Sequence, residues 1–159
     1  MKLNGSCHCQ AVRFSLECRQ PYPFCRCYCS ICRKTAGGGG YAVNLGGDYQ
    51  SMTVRGEEYI SVYQARLENA SDGIHTSPAR RHFCSKCGSA LWLWDPRWPE
   101  LVHPLASAID TALPVPPERT HLLLAFAKEW VEPDIRAGDK LFDGYPDESL
   151  EEWHCRHNL

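Results

Sequence analysis

Three short runs of cysteine carry the chemistry open to this chain: Cys7-His8-Cys9, Cys25-Arg26-Cys27-Tyr28-Cys29-Ser30-Ile31-Cys32, and Cys84-Ser85-Lys86-Cys87. Between them they hold eight of its 10 cysteines. Neighbours one or two residues apart can turn both sulfurs toward one ion, and zinc–thiolate bonds are only about 2.3 Å long. Such neighbours seldom bond to each other, because a disulfide needs Cα atoms roughly 4.4–6.8 Å apart with inward-pointing Cβ vectors. The spacing reads as thiolate coordination of a metal.

The run Cys84-Ser85-Lys86-Cys87-Gly88 has the form of a zinc knuckle, in which backbone N–H groups face the sulfurs and the glycine tolerates the tight backbone. A knuckle supplies two ligands where a closed structural site needs four. Cys7 and Cys9 are the natural second pair, since residues two apart in a strand share a face. The expected first site is therefore Cys7, Cys9, Cys84 and Cys87, a staple from the start of the chain to its middle. The competing reading makes some of these reduced core cysteines.

The middle run is unbalanced. In an extended segment Cys25 and Cys29 would lie roughly 13 Å apart, so one ion could take all four sulfurs only around a sharp curl. Cys27, Cys29 and Cys32 need a single turn, and three protein ligands leave a position open, as in catalytic zinc sites. The expected second site is Cys27, Cys29 and Cys32, with Cys25 a buried thiol beside it. A closed four-thiolate site that includes Cys25 is the alternative. Cys18 and Cys155 stand alone, and His8 and Tyr28 are expected to point away from the metal on their turns. His75, His82, His103, His121, His154 and His157 lack any paired ligand spacing and read as surface or core residues.

The elements that must position these sulfurs are short and mostly extended. Ala11 to Leu16 alternates apolar and polar, which predicts a half-buried strand right after the first cysteine pair. Tyr41 to Leu45 reads as another strand. Met52 to Arg55 and Tyr59 to Tyr63 read as a hairpin turning near Gly56 and Glu57. Arg80 to Phe83 and Ser89 to Trp94 form the arms of a second hairpin around the knuckle. Thr120 to Ala127 reads as a short strand after a proline-rich approach, and only Ser149 to His157 has helical spacing. Many short strands joined by Gly and Pro loops predict a mainly β domain.

Bulk composition narrows the function. At 18.0 kDa the chain fits one domain, residues 1–159, able to bury a core without metal. A net charge of −2 and a pI near 6.4 offer no basic face for nucleic acid. No segment approaches the ~20 apolar residues of a membrane span. The start, MKLNGSCHCQ, lacks the apolar core of a signal peptide. A soluble protein of the reducing cytoplasm is expected, where clustered cysteines bind metal rather than pair.

These residues together resemble the glutathione-dependent formaldehyde-activating enzyme family, also seen in centromere protein V. Gly5 to Phe14 (GSCHCQAVRF) is similar to the family's opening, with Gln10 in place of a glycine. Cys27 to Lys34 (CYCSICRK) is similar to its central motif, with Tyr28 in place of a histidine, and Arg81 to Leu91 (RHFCSKCGSAL) to its knuckle. Tyr145-Pro146 through Trp153-His154 is similar to its ending, so the resemblance spans nearly the whole chain. It implies a β-tent of several coiled antiparallel sheets around two zinc sites. Cys7, Cys9, Cys84 and Cys87 would hold the structural ion, and Cys27, Cys29 and Cys32 the catalytic one. The implied reaction is addition of the glutathione thiol to formaldehyde, a carbon–sulfur lyase step in reverse, with glutathione and an aldehyde as partners. Of the basic residues Arg33, Lys34, Arg80 and Arg81, Arg33 is expected to meet a glutathione carboxylate, and the others read as solvated surface. A non-enzymatic zinc module of the same fold is the alternative.

Overall fold

The computed structural model describes residues 1–69 and 73–159. Short strands dominate, as their alternating burial demands. In chain order they are β1 (Lys2–Ser6), β2 (Arg13–Glu17), β3 (Phe24–Cys27), then helix α1 (Ser30–Ala36), β4 (Ala42–Asn44), β5 (Gly47–Asp48), β6 (Thr53–Arg55), β7 (Ile60–Tyr63), β8 (Arg66–Asn69), β9 (Gly73–Thr76), β10 (Arg80–Cys84), β11 (Ala90–Trp94), β12 (Leu101–Pro104), β13 (Arg119–Leu122) and β14 (Lys140–Leu141), closing with helix α2 (Leu150–Arg156).

Three sheets matter for the cysteines. The first has strand order β1-β2-β6, the second β5-β12-β11-β10-β7, and the third β14-β13-β3-β4. Strands β8 and β9 make a separate antiparallel ribbon. The first two sheets are antiparallel throughout. The third is mixed, because β13 runs parallel to both β3 and β14. That pairing brings Leu122 level with Cys27, so the middle cysteine run is set against residues far away in the chain.

Leu3, Phe14 and Leu16 from the first sheet meet Leu91, Trp92 and Val102 from the second in the main core. The Phe14 and Trp92 rings pack edge to face at 5.1 Å, an arrangement that adds about 0.5–1.5 kcal/mol beyond area burial. Cys7 and Cys84 belong to this same core. Cys27 belongs to a smaller one with Leu122 and Leu123.

The hairpin around the knuckle forms as the alternation predicts: β10 and β11 pair antiparallel, with a register shift between His82 and Phe83. The other predicted hairpin does not form. Its two strands exist, but β6 pairs with β2 and β7 with β10, so they serve different sheets. Gly56, at φ +79°, turns the chain into the short 3-10 turn Glu57–Tyr59, and a Cβ there would come within 1.9 Å of the Ala11 carbonyl oxygen. Glycine at this point permits a change of sheet rather than a simple reversal. Helix α1 also lies outside the predicted elements.

Helix α2 forms where the helical spacing indicates, closed by a capping box between Ser149 and Glu152. Its Trp153 is fully buried and donates through Nε1 to Glu118 Oε1 at 2.9 Å, while Arg156 pairs with the same carboxylate at 2.7 Å. Trp153→Ala should lower the unfolding free energy by about 3–5 kcal/mol, through lost burial and the cavity left behind. Urea denaturation followed by circular dichroism measures this, and an unchanged midpoint would show that α2 does not anchor the fold.

Candidate metal centre

The sulfurs of Cys27, Cys29 and Cys32 all lie within 4.8 Å of one another. Cys27 ends β3, and Cys29 caps α1, its Sγ accepting the Cys32 N–H at 3.3 Å. The same turn closes through the Arg33 N–H to the Cys29 carbonyl at 3.0 Å. Strand end, cap and first helical turn thus bring three sulfurs to one point, which is the local reason for a helix too short to show periodicity. Cys25 sits two residues back on β3, roughly 6.6 Å along the strand, and is not in the set. Burial pushes its thiol up to about 12, so it stays protonated.

The three sulfurs compete for protons. The S–H groups of Cys27 and Cys32 donate toward Cys29 and hold its thiol down at about 2, whereas Cys27, facing the Cys29 charge and buried, is pushed well above the ordinary thiol range. Three sulfurs this close cannot all ionise unless a cation offsets their repulsion. The donor set fits zinc, a borderline-soft ion that binds thiolates.

Tyr28, between two of these cysteines, does turn away from them, and it is tied down on the far side. Its hydroxyl donates to His121 Nδ1 at 2.9 Å, and His121 Nε2 donates to Asp139 Oδ2 at 3.2 Å. Arg119 Nη2 donates to the same carboxylate oxygen at 2.6 Å, and the Arg136 backbone N–H adds another bond at 2.9 Å. Tyr28 and His121 are both fully buried. Burial acts to raise the Asp139 pKa, but these bonds together, Arg119 foremost, hold it below the usual carboxylate range. The carboxylate sets the histidine tautomer, which lets Nδ1 accept from the tyrosine. His121 and Asp139 were invisible to spacing rules, because His121 reaches Tyr28 through the parallel β3–β13 pairing and Asp139 reaches His121 beside the parallel β13–β14 pairing.

Cys7, Cys9, Cys84 and Cys87 form the second set, again with all sulfurs within 4.8 Å. Cys7 and Cys9 are 3.5 Å apart, and Cys9 and Cys84 3.8 Å. The Val12 N–H donates to Cys7 Sγ at 3.2 Å, and Ser89 Oγ lies 3.2 Å from Cys87 Sγ while accepting the His8 N–H at 3.1 Å. The Ser89 hydroxyl is the main reason the Cys87 thiol is held down at about 5. Gly88, at φ +74°, makes the knuckle turn, donating its N–H to the Cys84 carbonyl at 2.8 Å. Gln10 takes φ +63°, a left-handed conformation that suits glycine better. Its side-chain amide donates to Ser6 Oγ at 3.0 Å and to the Cys7 carbonyl at 3.1 Å, offsetting that strain.

Beside the trio lies a cleft of ≈ 420 Å³ between α1 and the second sheet, lined among others by Cys32, Asn44, Arg81, Phe83, Trp92 and Leu105. Arg33 is not among its lining residues, whereas Arg81 is. Lys34 is exposed, and Arg80 lies over the Trp94 ring at 5.2 Å.

A family model described as glutathione-dependent formaldehyde-activating enzyme matches residues 2–124. A protein of Halomonas elongata, provisionally named a glutathione-dependent formaldehyde-activating enzyme, is 62% identical over 159 residues, covering 100% of this chain and 98% of its own. A crystal structure of a Rhodobacter sphaeroides protein superposes with a TM-score of 0.52 at 26% identity, over 72% of this chain and 92% of that one.

Two outcomes follow from the geometry. Elemental analysis of zinc-loaded protein should find the wild-type metal content in Cys25→Ala and one ion fewer in Cys29→Ala; equal loss from both would return Cys25 to the ligand set. The depressed Asp139 pKa means that its stabilising contribution is complete above the ordinary value of 3.8 and is lost as pH falls below it. The difference in unfolding free energy between wild type and Asp139→Asn should therefore be full at pH 7 and shrink on going from about pH 4 to pH 3, as read by urea titrations; a constant difference would sever the carboxylate charge from stability.

Proposed function

Because the chain belongs to the glutathione-dependent formaldehyde-activating enzyme family, we propose that it is a zinc-dependent enzyme of carbon–sulfur lyase type that joins glutathione to formaldehyde as S-hydroxymethylglutathione and reverses the same step. The observation that carries the reading is the double role of Cys32, which belongs both to the three-sulfur set and to the lining of the ≈ 420 Å³ cleft. A fourth cysteine closing the set would leave no such meeting point, and Cys25 stands outside it.

Cys27, Cys29 and Cys32 would hold the catalytic ion, and Cys7, Cys9, Cys84 and Cys87 the structural one. When bound, zinc would favour the thiolate form of a substrate thiol and polarise an aldehyde oxygen. In the reaction a bond forms between the thiol sulfur and the aldehyde carbon, and the carbonyl double bond opens onto its oxygen. The proton given up by the thiol ends on that oxygen. The chain's part is to confine the two reactants: Phe83, Trp92 and Leu105 supply apolar wall, and Asn44 an amide able to donate to an oxygen or accept from a hydroxyl. Tyr28, locked through His121, fixes the peptide that carries two of the three sulfurs.

The reading takes residues 1–159 as one working domain, since β14, α2 and Asp139 lie beyond the matched residues 2–124 yet brace the third sheet. It also places the protein in the reducing cytoplasm. Ten free cysteines suit that setting, and no helix among the described residues is long and apolar enough to cross a membrane.

Exchange NMR of glutathione and formaldehyde with catalytic amounts of zinc-loaded protein tests the assignment. Exchange between free and adduct forms should accelerate with wild type and return to the uncatalysed rate with Cys29→Ala. An unchanged rate with wild type would remove glutathione and formaldehyde as the substrate pair.

A further inference from the structure

Arg81 occupies an unusual place in the cleft beside Cys32. It lies on β10 between β7 and β11, level with Tyr63 on one side and Leu93 on the other, and all three line the cleft. Among the described lining residues it is the only Arg, Lys, Asp or Glu. It makes no ion pair among the described residues, and its Nη1 has no hydrogen-bond partner. A half-buried guanidinium against Phe83, Trp92 and Leu93 has lost hydration, feels the Cys32 sulfur only through space, and has no carboxylate bonded to its Nη1, so a hydrogen-bonding anion would offset that cost.

The surroundings say which end of a ligand belongs there. The cleft shares Thr35, Ala36, Gly88 and Ala90 with a second hollow of ≈ 530 Å³, so the two form one continuous groove. The far part carries Asp110 among hydroxyl groups. A carboxylate is repelled at Asp110 and attracted at Arg81. We propose that Arg81 is the specificity-determining residue of this groove, its guanidinium taking a carboxylate of the thiol substrate, so that the site selects acidic thiols over neutral ones. The inference rests on the proposed function for the thiol's identity, but its recognition chemistry can be read separately.

Calorimetric titration of zinc-loaded protein with S-methylglutathione, which has both carboxylates and no free thiol, gives that separate reading. Wild type should bind it. Arg81→Gln should weaken binding about 10- to 100-fold, the size of one lost charge-assisted hydrogen bond, and Arg81→Lys should fall between. The diethyl ester of S-methylglutathione should bind wild type as weakly as the acid binds Arg81→Gln, an arm that needs no variant to fold. Metal content equal to wild type confirms that Arg81→Gln is intact. Equal affinity for acid and ester in wild type, or no loss in an intact Arg81→Gln, overturns the proposal. Exchange that accelerates in wild type without charge-dependent binding would sink this inference alone; charge-dependent binding without acceleration would sink the reaction and leave Arg81 as assigned.

Discussion

Everything in this protein is arranged around a repulsion. Seven sulfurs are gathered into two sets, each within 4.8 Å of its own members, and neither set can carry its full negative charge without a cation. The fold meets that cost at two separate junctions. The four-sulfur set is built into the main core through Cys7 and Cys84, where the first and second sheets meet. The three-sulfur set is built at the edge of a smaller core, where strand β3 gives way to helix α1. The first position has Cys7 and Cys84 in the core with Cys9 and Cys87 at the surface; the second leaves one side facing a cleft.

The three-sulfur turn packs on Leu122 and Leu123 and is braced from behind as well. Tyr28 provides that brace by reaching through His121 to Asp139 and Arg119, a run of buried groups in which each polar atom on the path finds a partner. Such a network is strong only when complete, because the low dielectric that strengthens each bond also penalises any unpaired member. A tyrosine where related sequences are expected to carry histidine therefore does not loosen the thiolates. It anchors their backbone from behind.

Much of the candidate site could be read from the sequence because its ligand pairs are local. Cys7 with Cys9, Cys84 with Cys87, and Cys27 with Cys29 and Cys32 need only one strand step or one turn each, and that geometry is implied by spacing. The grouping with Cys25 outside follows from the same arithmetic. What escaped was non-local or sub-threshold. Helix α1 has seven residues, too few for a period to emerge, and its cap is a cysteine rather than the usual Ser, Thr, Asp or Asn. The strands flanking Gly56 look like a hairpin in sequence, but β6 pairs with β2 and β7 with β10, partners that no local pattern names. His121 and Asp139 join the site through parallel pairings that no pattern along one strand can announce. Arg81 looked like surface because alternation indicates a face, not what stands opposite it.

The parallel alignment of β3 with β13 also sets an order of events at the ribosome. Cys7, Cys9, Cys84 and Cys87 have all emerged once the knuckle is made, so the staple can close on a nascent chain. The trio emerges earlier but waits for β13 and Asp139 before Tyr28 has anything to hold. A chain interrupted between the knuckle and β13 would carry all four sulfurs of the first set and an unbraced three-sulfur turn. The four-sulfur set can therefore be gathered before the three-sulfur turn is braced.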